Sequence, residues 1–132
     1  MAVRRRVADA MVTRPKTHGP ETTVAKIRAV FEDDHVHMAL IIATNGRLVT
    51  TIERPDLAAL PHSDQVSEVG ALAGRTVRAS DDLAATTEVL LRDGRRRLAV
   101  VDDGGRLLGL LCLKRDRTGF CSDEGIRRRA AA

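Results

Sequence analysis

The chain has 132 residues, with 22 Lys and Arg against 18 Asp and Glu, 43% hydrophobic and 2% aromatic residues, two cysteines and no Trp or Tyr. That is enough chain for one compact domain or two small subdomains sharing a core, without dependence on disulfides. The longest apolar runs, Met38 to Ala43 and Leu107 to Leu111, fall far short of the roughly 20 residues of a membrane span.

The basic character belongs to the ends. Arg4 to Arg6 and Arg127 to Arg129 take six of the 22 basic residues, leaving 16 to face all 18 acids, a net −2 for residues 7–126. Two Phe make no stacking platform for single-stranded nucleic acid. The Arg-rich ends therefore read as solvated tails, with backbone-phosphate binding as the weaker alternative. No signal-peptide pattern opens the chain, so a soluble, cytoplasmic protein with no membrane partner is expected.

Taken in chain order, Lys16 to His18 forms a short segment ahead of Glu21-Thr22-Thr23, a cluster suited to a helix N-terminus. Val24, Ile27, Val30 and Phe31 then recur at helical spacing. Met38 to Ala43 and Leu48 to Ile52 flank Asn45-Gly46, a hairpin signal because a type I′ turn needs positive φ at both central residues. Pro55 opens a predicted short helix, Asp56 to Leu60.

The same order then returns at an offset of 59: Thr76 to Arg78, Ser80-Asp81-Asp82, a helix carrying Leu83, Val89, Leu90 and Leu91, a Gly94 cap, then Leu98 to Val101 and Leu107 to Leu111 around a turn. Val7-Ala8-Asp9-Ala10 falls on Val66-Ser67-Glu68-Val69, and the register runs without a gap from 7 to 116. Met38 to Ala43 and Leu98 to Val101 lack alternation, as expected of strands buried on both faces. One such unit of about 50 residues would be marginal alone.

In order and spacing these pieces resemble a tandem pair of cystathionine β-synthase (CBS) domains, a Bateman module. The resemblance rests on Val7 to Met11, Thr22 to Ala25, Gly46 to Val49 running on to Asp56-Leu57, Leu98 to Asp102, and Gly105 to Leu111. It implies an α/β (α+β) fold of two pseudo-symmetric β-α-β-β-α repeats packed as one module, at 6–61 and 62–118, with flexible basic tails at 1–5 and 119–132. It also implies a homodimer, clefts that bind an adenosine-containing small molecule (AMP, ADP, ATP or S-adenosylmethionine) as effector, and a regulated partner protein. No cofactor is required.

In the family pattern the last strand ends with Gly, two aliphatics, Ser or Thr, two variable residues, then an Asp that accepts from the ribose hydroxyls. Here Thr50-Thr51-Ile52-Glu53-Arg54-Pro55-Asp56 keeps the acid as Asp56, but Thr50 replaces the glycine and Glu53 the hydroxyl residue. In the second half Gly109 is kept, Cys112 replaces the hydroxyl, and Arg115 replaces the acid, with Asp116 one residue on. By resemblance the ligand-binding candidates are Asp56, Glu53, Thr51, Arg54, Arg78, Arg97, Cys112, Arg115 and Asp116.

Each has a plainer reading. Asp56 suits an early helix turn, and Arg95 to Arg97 suit a solvated charge run. His35 and His37 share a face at strand spacing, but two ligands make no structural zinc site, so no metal is expected. Cys112 reads as a buried small hydrophobe and Cys121 as an exposed, oxidisable thiol. No catalytic constellation is present, so an enzyme is not expected. The competing function is a ligand-free dimerisation or interaction module with degenerate clefts.

Overall fold

The structure, a computed structural model, describes residues 4–58, 60, 61 and 64–123. The Arg127 to Arg129 run and His62 lie outside the described residues.

Each half contributes two strands flanking a helix, then a third strand: β1 (Thr17–His18), α1 (Val24–Val30), β2 (Ala39–Ile42) and β3 (Leu48–Ile52), then β4 (Thr76–Arg78), α2 (Leu83–Asp93), β5 (Arg97–Val101) and β6 (Leu107–Cys112). The first sheet runs β1-β2-β3, with β1 parallel and β3 antiparallel to β2. The second runs β4-β5-β6, with β4 parallel to β5. Paired elements begin 59 residues apart: β1 and β4 at 17 and 76, the helices at 24 and 83, β3 and β6 at 48 and 107. Short 3-10 turns at Val7–Asp9 and Val66–Glu68 keep the same interval.

The helix starts are made as the cap residues require. The Thr23 hydroxyl accepts from the Lys26 amide at 3.3 Å, and the Asp82 carboxylate from the Ala85 amide at 2.9 Å. Gly94 closes α2 at φ 66°, a left-handed cap. On α2 the buried stripe is Leu83, Thr86 and Leu90, one helical face. Val89 and Leu91, expected inside, lie off that face and are exposed. The helix expected over Asp56 to Leu60 is instead a 3-10 turn, Arg54–Leu57, with Pro55 in its first positions. His35 and His37 precede β2 rather than lying in a strand.

The chain folds as two compact units that do not follow chain order: one gathers residues 16–75 with 104–107, the other 4–15, 76–103 and 108–123. In the first, Val24, Ile27, Phe31, Ala39, Ile41, Ile52, Leu57 and Val66 form the core. In the second it is Val7, Leu83, Leu90, Leu98, Val100, Leu111 and Leu113. Leu40 and Ala99, facing away from these clusters, are buried as well, so β2 and β5 are covered on both faces.

Each 3-10 turn thus plugs the core of the other repeat's helix and sheet. Val66 and Val7 are both fully buried, and each donates its amide beside the neighbouring helix cap: Val66 N to Thr22 O and Val7 N to Asp81 O, both at 2.9 Å. The next bridges match too, Thr51 with Ala71 and Val12 with Leu110.

The expected tails are partly built into the fold. Arg5 O accepts from the Leu83 amide, and the Arg6 guanidinium donates to Ser80 O. After β6 the chain turns back so that the Cys121 amide reaches Cys112 O at 2.7 Å, and Cys112 and Cys121 are disulfide-bonded. Asp123 accepts from the Thr13 amide and hydroxyl. Cys121 is therefore not a free thiol. Cys112 is buried as expected, but as half of a bridge.

Candidate functional site

β3 runs straight into the 3-10 turn, and that turn presents the acids. Its first amide needs an acceptor, which Asp56 supplies: Oδ2 accepts from Glu53 N at 2.8 Å. The same carboxylate holds the guanidinium of Arg75 as a fork, Nη1 to Oδ2 at 2.6 Å and Nη2 to Oδ1 at 3.1 Å. Nη2 also lies 3.1 Å from Glu53 Oε1, and Nη1 donates to Thr51 O at 3.2 Å. The side chains of Arg75, Asp56 and Glu53 keep only 13%, 18% and 22% of their exposure, so the cluster is largely shielded from water. The Asp56 hydrogen bonds chiefly hold the Arg75 pKa above its ordinary value, against the effect of burial.

Thr51, Glu53, Asp56 and Arg75 thus converge within one unit. Thr51 turns its hydroxyl onto Ala71 O, and Thr50 turns its own onto Val69 O at 2.8 Å. Arg54 is directed elsewhere. It stacks over the Phe31 ring at 5.1 Å and donates to Phe31 O and Asp33 O, satisfying carbonyls at the end of α1.

The remaining candidates lie in the other unit. Arg78 pairs with Asp103 at 2.8 Å on the surface. Arg97 is buried, with its guanidinium on the Arg96 and Leu113 carbonyls. Cys112 is in the disulfide. Arg115 is exposed, and with Arg117 it lowers the Arg96 pKa, an effect in which burial is the larger cause. Asp116 accepts from the Thr118 amide and hydroxyl, which hold its carboxyl below the usual range. Arg75, absent from the sequence-derived set, is the residue that organises the first cluster. It sits 19 residues beyond Asp56, and no local motif connects them. Among the described residues no group of three or more His, Cys, Asp or Glu could hold a metal ion. No described helix is long and apolar enough to cross a membrane.

The repeated β-α-β-β arrangement is that of a tandem CBS pair, or Bateman module, in which the first repeat presents an acid, Asp56, just after its third strand. The CBS domain model matches residues 49–115, and the chain belongs to that family.

Over 106 residues, 79% of the chain, it is 32% identical to inosine-5′-monophosphate dehydrogenase of Mycobacterium tuberculosis and Mycobacterium bovis. The chain spans about a fifth of the length of those relatives, 20%. Among solved structures, CBSX2 in complex with AMP is 25% identical, with a TM-score of 0.71, covering 96% of this chain and 97% of that one. The CBS pair domain of the putative Mg²⁺ transporter of Shewanella oneidensis MR-1 is 19% identical, with a TM-score of 0.74 over 96% of this chain and 72% of that one.

Proposed function

We propose that this module binds an adenosine-type ligand, AMP, ADP, ATP or S-adenosylmethionine, at the Asp56 turn and passes the binding signal to a partner protein. The observation that carries the reading is the end-to-end likeness to CBSX2, a protein solved with AMP. The local chemistry agrees with it. Asp56 is a shielded carboxylate at the end of β3, fixed by a backbone amide, and a carboxylate can accept from both hydroxyls of a ribose. Signalling then requires that the ligand prefer one of two states of the module.

The test is thermal unfolding against AMP, ADP, ATP, S-adenosylmethionine and S-adenosylhomocysteine. A ligand at about 100 times its dissociation constant stabilises by roughly 2.7 kcal/mol. For a domain of this size that raises the midpoint by several degrees. A shift for at least one compound, lost in Asp56→Ala, is expected.

A second reading, a ligand-free dimerisation or interaction module, is favoured by one observation: the expected ligand side chains already have protein partners. Asp56 holds Arg75, Arg54 holds the end of α1, and Cys112 is bridged. No shift with any of the five compounds supports this reading and overturns the first.

A further inference from the structure

Taking Asp56 as the ribose acceptor, the carboxylate is not waiting empty for a sugar. Both its oxygens carry the Arg75 fork, and Oδ2 carries the Glu53 amide as well. A vicinal diol donates two parallel hydrogen bonds to a carboxylate, the same geometry a guanidinium uses. Sugar and Arg75 therefore compete for one face of Asp56. A neutral nucleoside would exchange a charge-assisted fork for two neutral hydroxyls and leave Arg75 with Glu53 and the Thr51 carbonyl, at a shielded site.

A phosphate changes that balance. It offers a guanidinium an acceptor as good as a carboxylate. It also needs one, because Glu53 stands in the same cluster and opposes it. Arg54 is committed to the Phe31 and Asp33 carbonyls.

We propose that Arg75 is the specificity-determining residue of this site: it bars Asp56 to unphosphorylated nucleosides and admits nucleotides by moving from the carboxylates to the ligand phosphate. Binding is then a partner exchange in which Arg75 leaves Asp56 for the phosphate as the ribose takes its place. The Arg75 side chain is anchored on the residues Thr51, Glu53 and Asp56 together, so the exchange also loosens the tie between the end of β3 and the segment leading into β4.

The experiment is calorimetric titration of adenosine and AMP into the full chain, its Arg75→Met and Arg75→Lys variants, and Glu53→Gln. The wild type is expected to bind AMP about tenfold or more tighter than adenosine, the scale of one charge-assisted contact. Arg75→Met is expected to bind adenosine more tightly than the wild type and to lose the preference for AMP. Glu53→Gln is expected to keep the preference and tighten AMP. An Arg75→Met protein that retains the wild-type ratio, or a wild type without preference, overturns the proposal and leaves the ribose reading standing. No binding of either compound to any of the four proteins overturns the proposal, and the ribose reading then falls only if the unfolding test also shows no shift with ADP, ATP, S-adenosylmethionine or S-adenosylhomocysteine. Should Arg75→Met fail to fold by its melting curve, Arg75→Lys decides, because it keeps the charge but cannot fork: weaker competition should raise adenosine affinity, and an unchanged affinity overturns the proposal.

Discussion

The two halves of the chain share a skeleton and differ in chemistry. At the interval of 59, Val7 matches Val66, Val24 matches Leu83, Phe31 matches Leu90, Ile41 matches Val100 and Ile52 matches Leu111, all buried. At the end of the third strand the chemical correspondence breaks. Glu53 answers to Cys112, Asp56 to Arg115, and Arg75 to Lys16. The first half makes a shielded cluster of two acids and one arginine there, and the second a disulfide and an exposed arginine. Core positions are constrained by volume, whereas the strand end lies outside the core and takes different polar or covalent partners in the two halves.

A subtler difference lies where each third strand meets its bridging segment. In the second half Gly109 gives room to Met11 and to the Val12 carbonyl, which an added Cβ would strike. In the first half that strand position is Thr50, and the glycine has moved across to Gly70, beside the Thr51 carbonyl and at φ 83°. The close approach is kept, with the small residue on the opposite partner. Both Gly70→Ala and Gly109→Ala should therefore destabilise severely. Gly70→Ala should be worse, about 3 kcal/mol or more against about 2, because it adds left-handed strain to the collision. Urea unfolding of the two variants tests this, and equal losses would remove the distinction.

Next in size is the disulfide, which belongs to the second half alone. Its ends are 9 residues apart. Closing a loop of that length stabilises by roughly 2 to 3 kcal/mol. Unfolding with and without a thiol reductant should differ by that amount, and Cys121→Ser should match the reduced protein. Amide exchange should rise at Leu113, Lys114 and Cys121, whose hydrogen bonds lie in or beside the closed loop, and stay unchanged around Asp56.

The helix ends make a third contrast. α2 stops on Gly94, whereas α1 relies on the Arg54 guanidinium. Gly94→Ala and Arg54→Ala should each cost about 1 kcal/mol, by backbone strain in one case and lost hydrogen bonds in the other. The smallest effect belongs to His18, whose pKa is lowered by burial and then by Lys16 and Lys26. A lowered pKa favours the neutral ring in the fold, so the stability His18 contributes is present above its unfolded value of 6.5 and declines as pH falls through the folded one. Replacing it with Gln should flatten the melting temperature against pH on that acidic side.

The elements could be read from the chain because their signals are local: a Thr or Asp cap, a 3.6-residue stripe, a glycine at a turn. The repeat sharpened them, since each half vouched for the other's register. What escaped was contact at a distance. Arg75 looks like any loop arginine until the fold sets it on Asp56. Cys112 was legible as buried, but its bond to Cys121 depends on the turn at 114–119 bringing the chain back. Val89 and Leu91 are apolar but lie off the single face that Leu83, Thr86 and Leu90 share, and hydrophobicity alone does not show which face is covered.

The exchange of the two 3-10 turns separates the packed unit from the sequence repeat. A half cut out at its sequence boundary would leave with a valine that fits the other half's core and without the one that fills its own. A cut at residues 16 and 75 instead keeps Val66 with the core it fills, so the boundary of the packed unit, not that of the sequence repeat, marks where the chain divides.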